Sequence, residues 1–310
     1  MTTPNSYPAG TPVPSQGEAT ATRETLPFAY TVAAVESAKD RPGGKLSEDA
    51  HIVNQDTHTF VVCDGAAGPY ASFVASIAAE SLVRRLAGPL DSPEAAEAAM
   101  SAALTGARED LKAAKVNDPD EENRELEYDD GITTGVAVKL FATPDGNKYA
   151  VIGNAGDSGV CIRRADGTVE RLTIEQCNPE KRNELTNYLS SERPIRGFDG
   201  QAIGQGTSEQ TTDDVMTVEL NEGDTLAIAS DGVWGDQDDE KLRPAEISAC
   251  LAAPTADDAA AQLHNTSRKK DDKSLIVIKI GELPEAGPRD KAVAAAAPLV
   301  GQAALGGGGL

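Results

Sequence analysis

The chain has 310 residues, enough for one large domain or two small ones with a substantial core. Apolar residues make up 39% and aromatics only 4%, so that core must rest on Ala, Val, Ile and Leu. With 50 acidic against 28 basic residues the net charge is −22, which argues against nucleic acid and anionic membrane as main partners and suits cation capture.

Residues 1–25 are rich in Thr, Pro, Ser and Gly and read as a disordered arm. "YTVAAVES" (30–37) and "HTFVVCD" (58–64) read as strands. "ASFVASIAAESLVRRLAG" (71–88) places apolar residues at helical spacing and stops at a glycine. A second helix is expected over 91–115, with Ser92 as its cap and Pro93 as its first helical residue. "DPDEENRELEYDDG" (118–131) reads as an acidic, solvated connection. β character then dominates, in "ITTGVAVKLFA" (132–142), the long stretch 148–173, and "DVMTVELNEGDTLAIASDG" (214–232). Turn signals at "PDGN", "NAGD", "ADGT" and "NEGD" predict hairpins between antiparallel strands. Helical patterning returns at 241–252 and 256–269, and "SLIVIKI" (274–280) reads as a last buried strand. The expected domain spans 26–284, followed by an Ala/Gly-rich disordered tail over 285–310. Two helices, a β-rich middle, two more helices and a final strand suggest an α+β fold with helices outside a layered sheet core.

Cys63, Cys161, Cys177 and Cys250 form no CxxC pair, and no leader-like stretch precedes them; reduced, separate thiols in a cytoplasmic protein are expected. No apolar run reaches transmembrane length. Nor is there a cysteine phosphatase loop, which needs arginine six residues after the cysteine. Pro69, Gly167, Asn183 and Ala256 stand at that spacing. Three scattered histidines, His51, His58 and His264, speak against a zinc cage.

Acidic groups do recur beside strand ends: Glu48-Asp49, Asp64-Gly65, Asp231-Gly232 and Asp271-Asp272. An Asp-Gly after a strand is by itself usually a turn. If the strand mouths converge, however, the carboxylates meet, and their repulsion has to be offset. Oxygen-only donors select hard divalent ions such as Mg²⁺ or Mn²⁺.

Seven stretches, "SEDA" (47–50), "VVCDGAAG" (61–68), "ITTGVAV" (132–138), "GNAGDSGV" (153–160), "RLTIEQ" (171–176), "IASDGVW" (228–234) and "DDKSLIVI" (271–278), occur in the order seen in the PPM, or type 2C, serine/threonine phosphatases. The sequence resembles that family over about residues 28–281. The resemblance implies a four-layer α-β-β-α sandwich with two mainly antiparallel sheets and a dinuclear Mn²⁺/Mg²⁺ centre. By motif position Asp64 would bridge both ions and the Gly65 carbonyl would bind one; Glu48, Asp231 and Asp271 would complete the other. Asp49 would hold metal-bound water, and Asp157 could help a third, weaker ion together with Asp231. The activity implied is hydrolysis of phosphoserine and phosphothreonine in a phosphorylated protein substrate, by a hydroxide on the two ions rather than by a side-chain nucleophile. A monomer is expected.

The match departs from the family around the metals. Lys45 is the cation nearest the Glu-Asp pair, where many members carry an arginine, with Arg41 further off; a lysine lacks the bidentate fork, and Lys45 is equally well read as a solvated loop residue. Ala66 and Pro69 replace common histidines, Ile132 replaces the glycine of Gly-Thr-Thr, and Gly159 replaces an arginine. Leaving-group protonation would then fall to metal-bound water or be poor. The flap segment 177–203 carries Lys181, Arg182, Arg193 and Arg196, which either engage a phosphopeptide or solvate a loop. These losses leave two alternatives open: a phosphatase-like regulatory or binding module with little or no catalysis, and a hydrolase of small phosphate esters.

Overall fold

A computed structural model describes residues 26–39, 47–116, 124–126, 130–178, 184–191 and 213–281. Its strands are β1 (Ala29–Ser37), β2 (Ala50–Asn54), β3 (Thr59–Cys63), β4 (Gly65–Ala66), β5 (Lys115–Val116), β6 (Arg124–Glu125), β7 (Ile132–Thr133), β8 (Gly135–Ala142), β9 (Lys148–Ala155), β10 (Gly159–Arg163), β11 (Val169–Arg171), β12 (Asp214–Glu219), β13 (Thr225–Ala229) and β14 (Lys273–Gly281). The helices are α1 (Ala71–Arg85), α2 (Pro93–Ala113), α3 (Asp231–Trp234), α4 (Pro244–Leu251) and α5 (Ala256–Thr266).

Two five-stranded sheets form, in the orders β1-β14-β13-β10-β11 and β12-β9-β8-β3-β2, and every pairing between their strands is antiparallel. The inner strands β3, β13 and β14 read as near-continuous apolar runs because both of their faces are covered. In β3, Phe60 and Val62 point between the sheets, while Val61 and Cys63 face α1 and α2. In β14, Ile276 and Ile278 point inward and Leu275 and Val277 face α4 and α5. Side chains that alternate at period two thus feed three apolar layers, and the architecture is the α-β-β-α sandwich the resemblance implies. Small residues let the outer layers close: Ala75, Ala78 and Ala79 on α1 and Ala256, Ala259 and Ala260 on α5 are buried.

The helix signals hold locally. Ser92 Oγ accepts from the Ala95 amide at 3.3 Å, with Pro93 as the first residue of α2. The turn signals hold only in part. "PDGN" joins β8 to β9 and "ADGT" joins β10 to β11 as hairpins. "NAGD" and "NEGD" instead carry the chain from one sheet to the other, from β9 to β10 and from β12 to β13. A turn sequence encodes a chain reversal; which strand receives the returning chain is decided by burial on both sheets. Trp234 is buried, as expected, and its indole N–H donates to the carbonyls of Ala229 at 3.0 Å and Gly159 at 3.2 Å. All four cysteines are free, and burial pushes the Cys63 thiol well up and the Cys161 thiol to about 11. Among the described residues no helix is long and apolar enough to cross a membrane.

Candidate active site

The site lies where β3 and β13, one from each sheet, end in Asp-Gly. Asp64 follows β3 directly, and its backbone is fixed from both sides. Its amide donates to Thr134 Oγ1 at 2.9 Å; its carbonyl accepts from the Thr134 amide at 2.8 Å and from Thr133 Oγ1 at 2.9 Å. The short pairing of β4 with β7 continues this tie. The glycine that follows permits a close approach. The Gly65 amide donates to the Glu48 carbonyl at 3.2 Å, and a Cβ on Gly65 would lie 2.4 Å from that oxygen and 2.5 Å from the Ala71 carbonyl oxygen. Only glycine leaves room for the backbone of Glu48 beside Asp64.

The second corner repeats the device. Asp231 opens α3 after Ser230, and a Cβ on Gly232 would lie 1.8 Å from the Asp272 carbonyl oxygen. The Ser230 amide donates to the Ser274 carbonyl at 3.1 Å, and the Ser274 amide to Ser230 Oγ at 3.1 Å. Ser230 Oγ in turn donates to Asp49 Oδ2 at 2.8 Å. Asp272, also buried, accepts from the amides of Lys39 at 2.7 Å and Glu48 at 2.9 Å. One carboxylate next to Asp271 therefore anchors the backbone of the Glu48-Asp49 stretch.

The acidic groups brought together perturb one another. Burial pushes the Asp64 carboxyl well above the usual range, and the charges of Asp49, Asp231 and Asp157 add to the effect. The Asp49 carboxyl is pushed up to about 7 by burial and by Asp272, against the hydrogen bond from Ser230. Burial and Asp231 raise Asp157 to about 7, with Lys269 opposing. Asp231 is raised by burial although Lys269 contacts it. Burial also pushes on Asp271, but Lys39 and Lys269 outweigh it and hold that carboxyl below the usual range. Lys39 Nζ donates to Asp271 Oδ1 at 2.7 Å.

The fold thus gathers Asp49, Asp64, Asp157, Asp231 and Asp271 into one electrostatic group, with the Gly65 backbone beside it. The Glu48 backbone reaches the same place. Lys45, Arg41, Lys181, Arg182, Arg193 and Arg196 lie outside the described residues. Asp49 Oδ1 is buried without a hydrogen-bond partner. Among the described residues, no three His, Cys, Asp or Glu side chains are gathered closely enough to hold a metal ion as they stand.

Sequence reasoning assigned no role to Thr133, Thr134 and Ser158, which tie the Asp64 corner to the turn that carries Asp157: Thr134 Oγ1 and Ser158 Oγ are 2.7 Å apart. It passed over Lys39 and Lys269, and saw Asp272 only as the neighbour of Asp271. For Gly159, position explains the residue. A Cβ there would lie 2.5 Å from Arg171 Nη2 and 2.4 Å from Thr173 Oγ1. Arg171 brings its guanidinium to this place from β11, donates to the Asp157 carbonyl at 3.2 Å and lies over Trp234 with 5.4 Å to the ring centre. An arginine guanidinium thus stands beside position 159, brought there from the neighbouring strand.

Residues 38–272 match the family model described as protein phosphatase 2C, and the chain belongs to that family. The solved catalytic domain of the serine/threonine protein phosphatase PstP in complex with two manganese ions is similar in fold, with a TM-score of 0.57 at 17% identity over 82% of this chain and 99% of that one. The PPM Ser-Thr phosphatase MsPP from Mycobacterium smegmatis, in complex with cacodylate, gives 0.54 at 22% identity over 81% and 98%. PppA, a key regulatory component of T6SS in Pseudomonas aeruginosa, gives 0.56 at 19% identity over 82% and 99%. No curated protein matches the chain.

Proposed function

We propose that this member of the protein phosphatase 2C family hydrolyses phosphoserine and phosphothreonine in proteins, and that it does so with Mn²⁺ or Mg²⁺ held at the acidic corner. The observation that carries the reading is the buried nest of Asp49, Asp64, Asp157 and Asp231, whose charges disfavour one another. Such a nest needs a cation, and its donors are oxygens, which suits a hard divalent ion. The unpartnered Asp49 Oδ1 fits the same need.

In this reading Asp64 and the Gly65 carbonyl would hold one ion, Glu48, Asp231 and Asp271 together with Asp64 would hold a second, and Asp157 and Asp231 would offer a weaker third seat. When bound, the ions supply Lewis-acid activation of water and charge compensation for the phosphate. The residues of the chain do the rest. Asp49 orients water while Ser230 fixes its other oxygen. Thr133 and Thr134 hold the Asp64 backbone so that its carboxylate cannot turn away. Asp272 sets the Glu48-Asp49 backbone, and Lys39 orients Asp271. No histidine stands at Ala66 or Pro69 to protonate the leaving group, so solvent supplies that proton, and slow turnover is expected.

The test is hydrolysis of a phosphothreonine peptide and of p-nitrophenyl phosphate, with Mn²⁺ and after chelation. Metal-dependent turnover on the peptide, lost by about a hundredfold or more in Asp64→Asn, supports the proposal. Turnover untouched by chelator or by Asp64→Asn removes it. A regulatory module without catalysis is favoured by the lysine lodged among these carboxylates, and metal-independent peptide binding without turnover would select it.

A further inference from the structure

Lys269 stands inside the acidic centre. Its Nζ touches Asp231 Oδ2 and lies 3.3 Å from Asp271 Oδ2 and 3.5 Å from Asp236 Oδ2. Its side chain is only 14% exposed, so water does not screen these contacts well. Asp231 and Asp271 are two of the four carboxylates assigned above to the second ion, so the ammonium already uses an oxygen of each. A divalent ion and an ammonium cannot share those oxygens without cation–cation repulsion at contact distance.

The other side of the centre is different. The charges that press most on the buried Asp64 carboxyl are those of Asp49, Asp231 and Asp157. Asp49 Oδ1, buried, has no hydrogen-bond partner at all. Among the described residues no cationic side chain pairs with either one. Among the described residues, positive charge is therefore built into one half of the nest and not into the other. Lys39 strengthens the asymmetry, because it binds the remaining oxygen of Asp271 at 2.7 Å.

We propose that Lys269 is a tethered cation that fills the seat of the second divalent ion. The chain then loads one Mn²⁺ or Mg²⁺, on the Asp64–Asp49 side, and accepts another only when the lysine is removed or swings away. This rests on the metal-dependent reading above and replaces its symmetric pair of ions with one ion and one ammonium.

Mn²⁺ uptake by the full chain, stripped with chelator, tests it without reference to activity. Calorimetry and the electron paramagnetic resonance of free Mn²⁺ give the stoichiometry for the wild type and for Lys269→Met, Lys269→Arg and Asp64→Asn. The expected result is one equivalent in the wild type and in Lys269→Arg, and two in Lys269→Met, the second bound at least about tenfold more tightly than the wild type binds any further ion. Asp64→Asn loses the first equivalent. Two equivalents in the wild type, with affinities that Lys269→Met leaves unchanged, overturn the proposal and leave the metal centre standing. One equivalent in both proteins also overturns it. No uptake by either the wild type or Lys269→Met sinks the metal centre itself, and this inference with it. The wild-type stoichiometry decides alone should Lys269→Met fail to fold.

Discussion

Replacing Asp49 by asparagine is expected to stabilise the metal-free protein, and to do so more strongly as pH rises. The Asp49 carboxyl is pushed from 3.8 to about 7, chiefly because it is buried. Its folded value lies above its unfolded one, so the fold holds the proton more tightly than the unfolded chain does. That stabilising effect is complete below 3.8 and is lost as pH rises through about 7. The difference corresponds to about 4 kcal/mol for full ionisation, of which about 2 kcal/mol falls between roughly pH 5.5 and pH 8.5. Asparagine has no such dependence. It is nearly the same shape, its carbonyl can accept from Ser230, and its amide can donate to Asp64. The melting temperature of Asp49→Asn minus that of the wild type should therefore grow by about 4–8 °C between those two pH values. Calorimetric melts of both proteins with chelator present measure it. A gap that is constant, or that widens toward acid, refutes the reasoning, because nothing else distinguishes the two side chains by pH. Excess Mn²⁺ should narrow the gap at pH 8.5, since the ion stabilises the chain that binds it.

Gly232→Ala forces a Cβ to within 1.8 Å of the Asp272 carbonyl oxygen, with backbone on both sides, and should cost at least about 2–3 kcal/mol in a denaturant melt. Unchanged stability would show that Gly232 and the Asp272 backbone approach less closely. Asp272→Ala leaves the amides of Lys39 and Glu48 without their partner and should cost about 2–4 kcal/mol, whereas Asp272→Asn, which keeps one acceptor, should cost about half; equal losses in urea melts would count against the two-amide anchor. Arg108 on α2 grips Asp213 through both nitrogens at 2.6 and 2.7 Å and reaches the Tyr188 carbonyl at 3.3 Å. Arg108→Met should cost about 2–3 kcal/mol and speed proteolytic cleavage near 184–191; unaltered cleavage would mean that Leu189, paired with Thr133, holds that segment alone.

What the sequence disclosed about the fold followed from burial and periodicity. β3 and β14 announce themselves because both faces of each are apolar, and α2 because its cap and its proline are local signals. The destination of the chain after "NAGD" and "NEGD" was hidden, because sheet membership depends on partners far away in sequence. The carboxylates were legible as a set, since each stands at a strand mouth. The cations were not: Lys39 and Lys269 look like any solvated lysine until the fold buries Asp271 and Asp231 against them. Asp272 was noticed only as the neighbour of Asp271, although its side chain fixes the Glu48 backbone.

The two Asp-Gly corners explain why the acidic nest exists at all. Gly65 admits the Glu48 carbonyl, and Gly232 admits the Asp272 carbonyl, each at a distance no Cβ would tolerate. Both contacts are made by backbone, so carboxylates on three separate strand ends are pressed together whether or not a cation is present. The cost is carried by the folded state as raised carboxyl pKa values, and it is a sizeable fraction of the 5–15 kcal/mol that typically separates folded from unfolded protein. A chain that must be stable before it meets metal gains from covering part of that charge with its own side chains. Among the described residues, Lys269 and Lys39 do this on the Asp231–Asp271 side. The Asp64–Asp49 carboxyls meet their burial instead by holding protons more tightly, and a divalent ion arriving there would displace those protons rather than an ammonium.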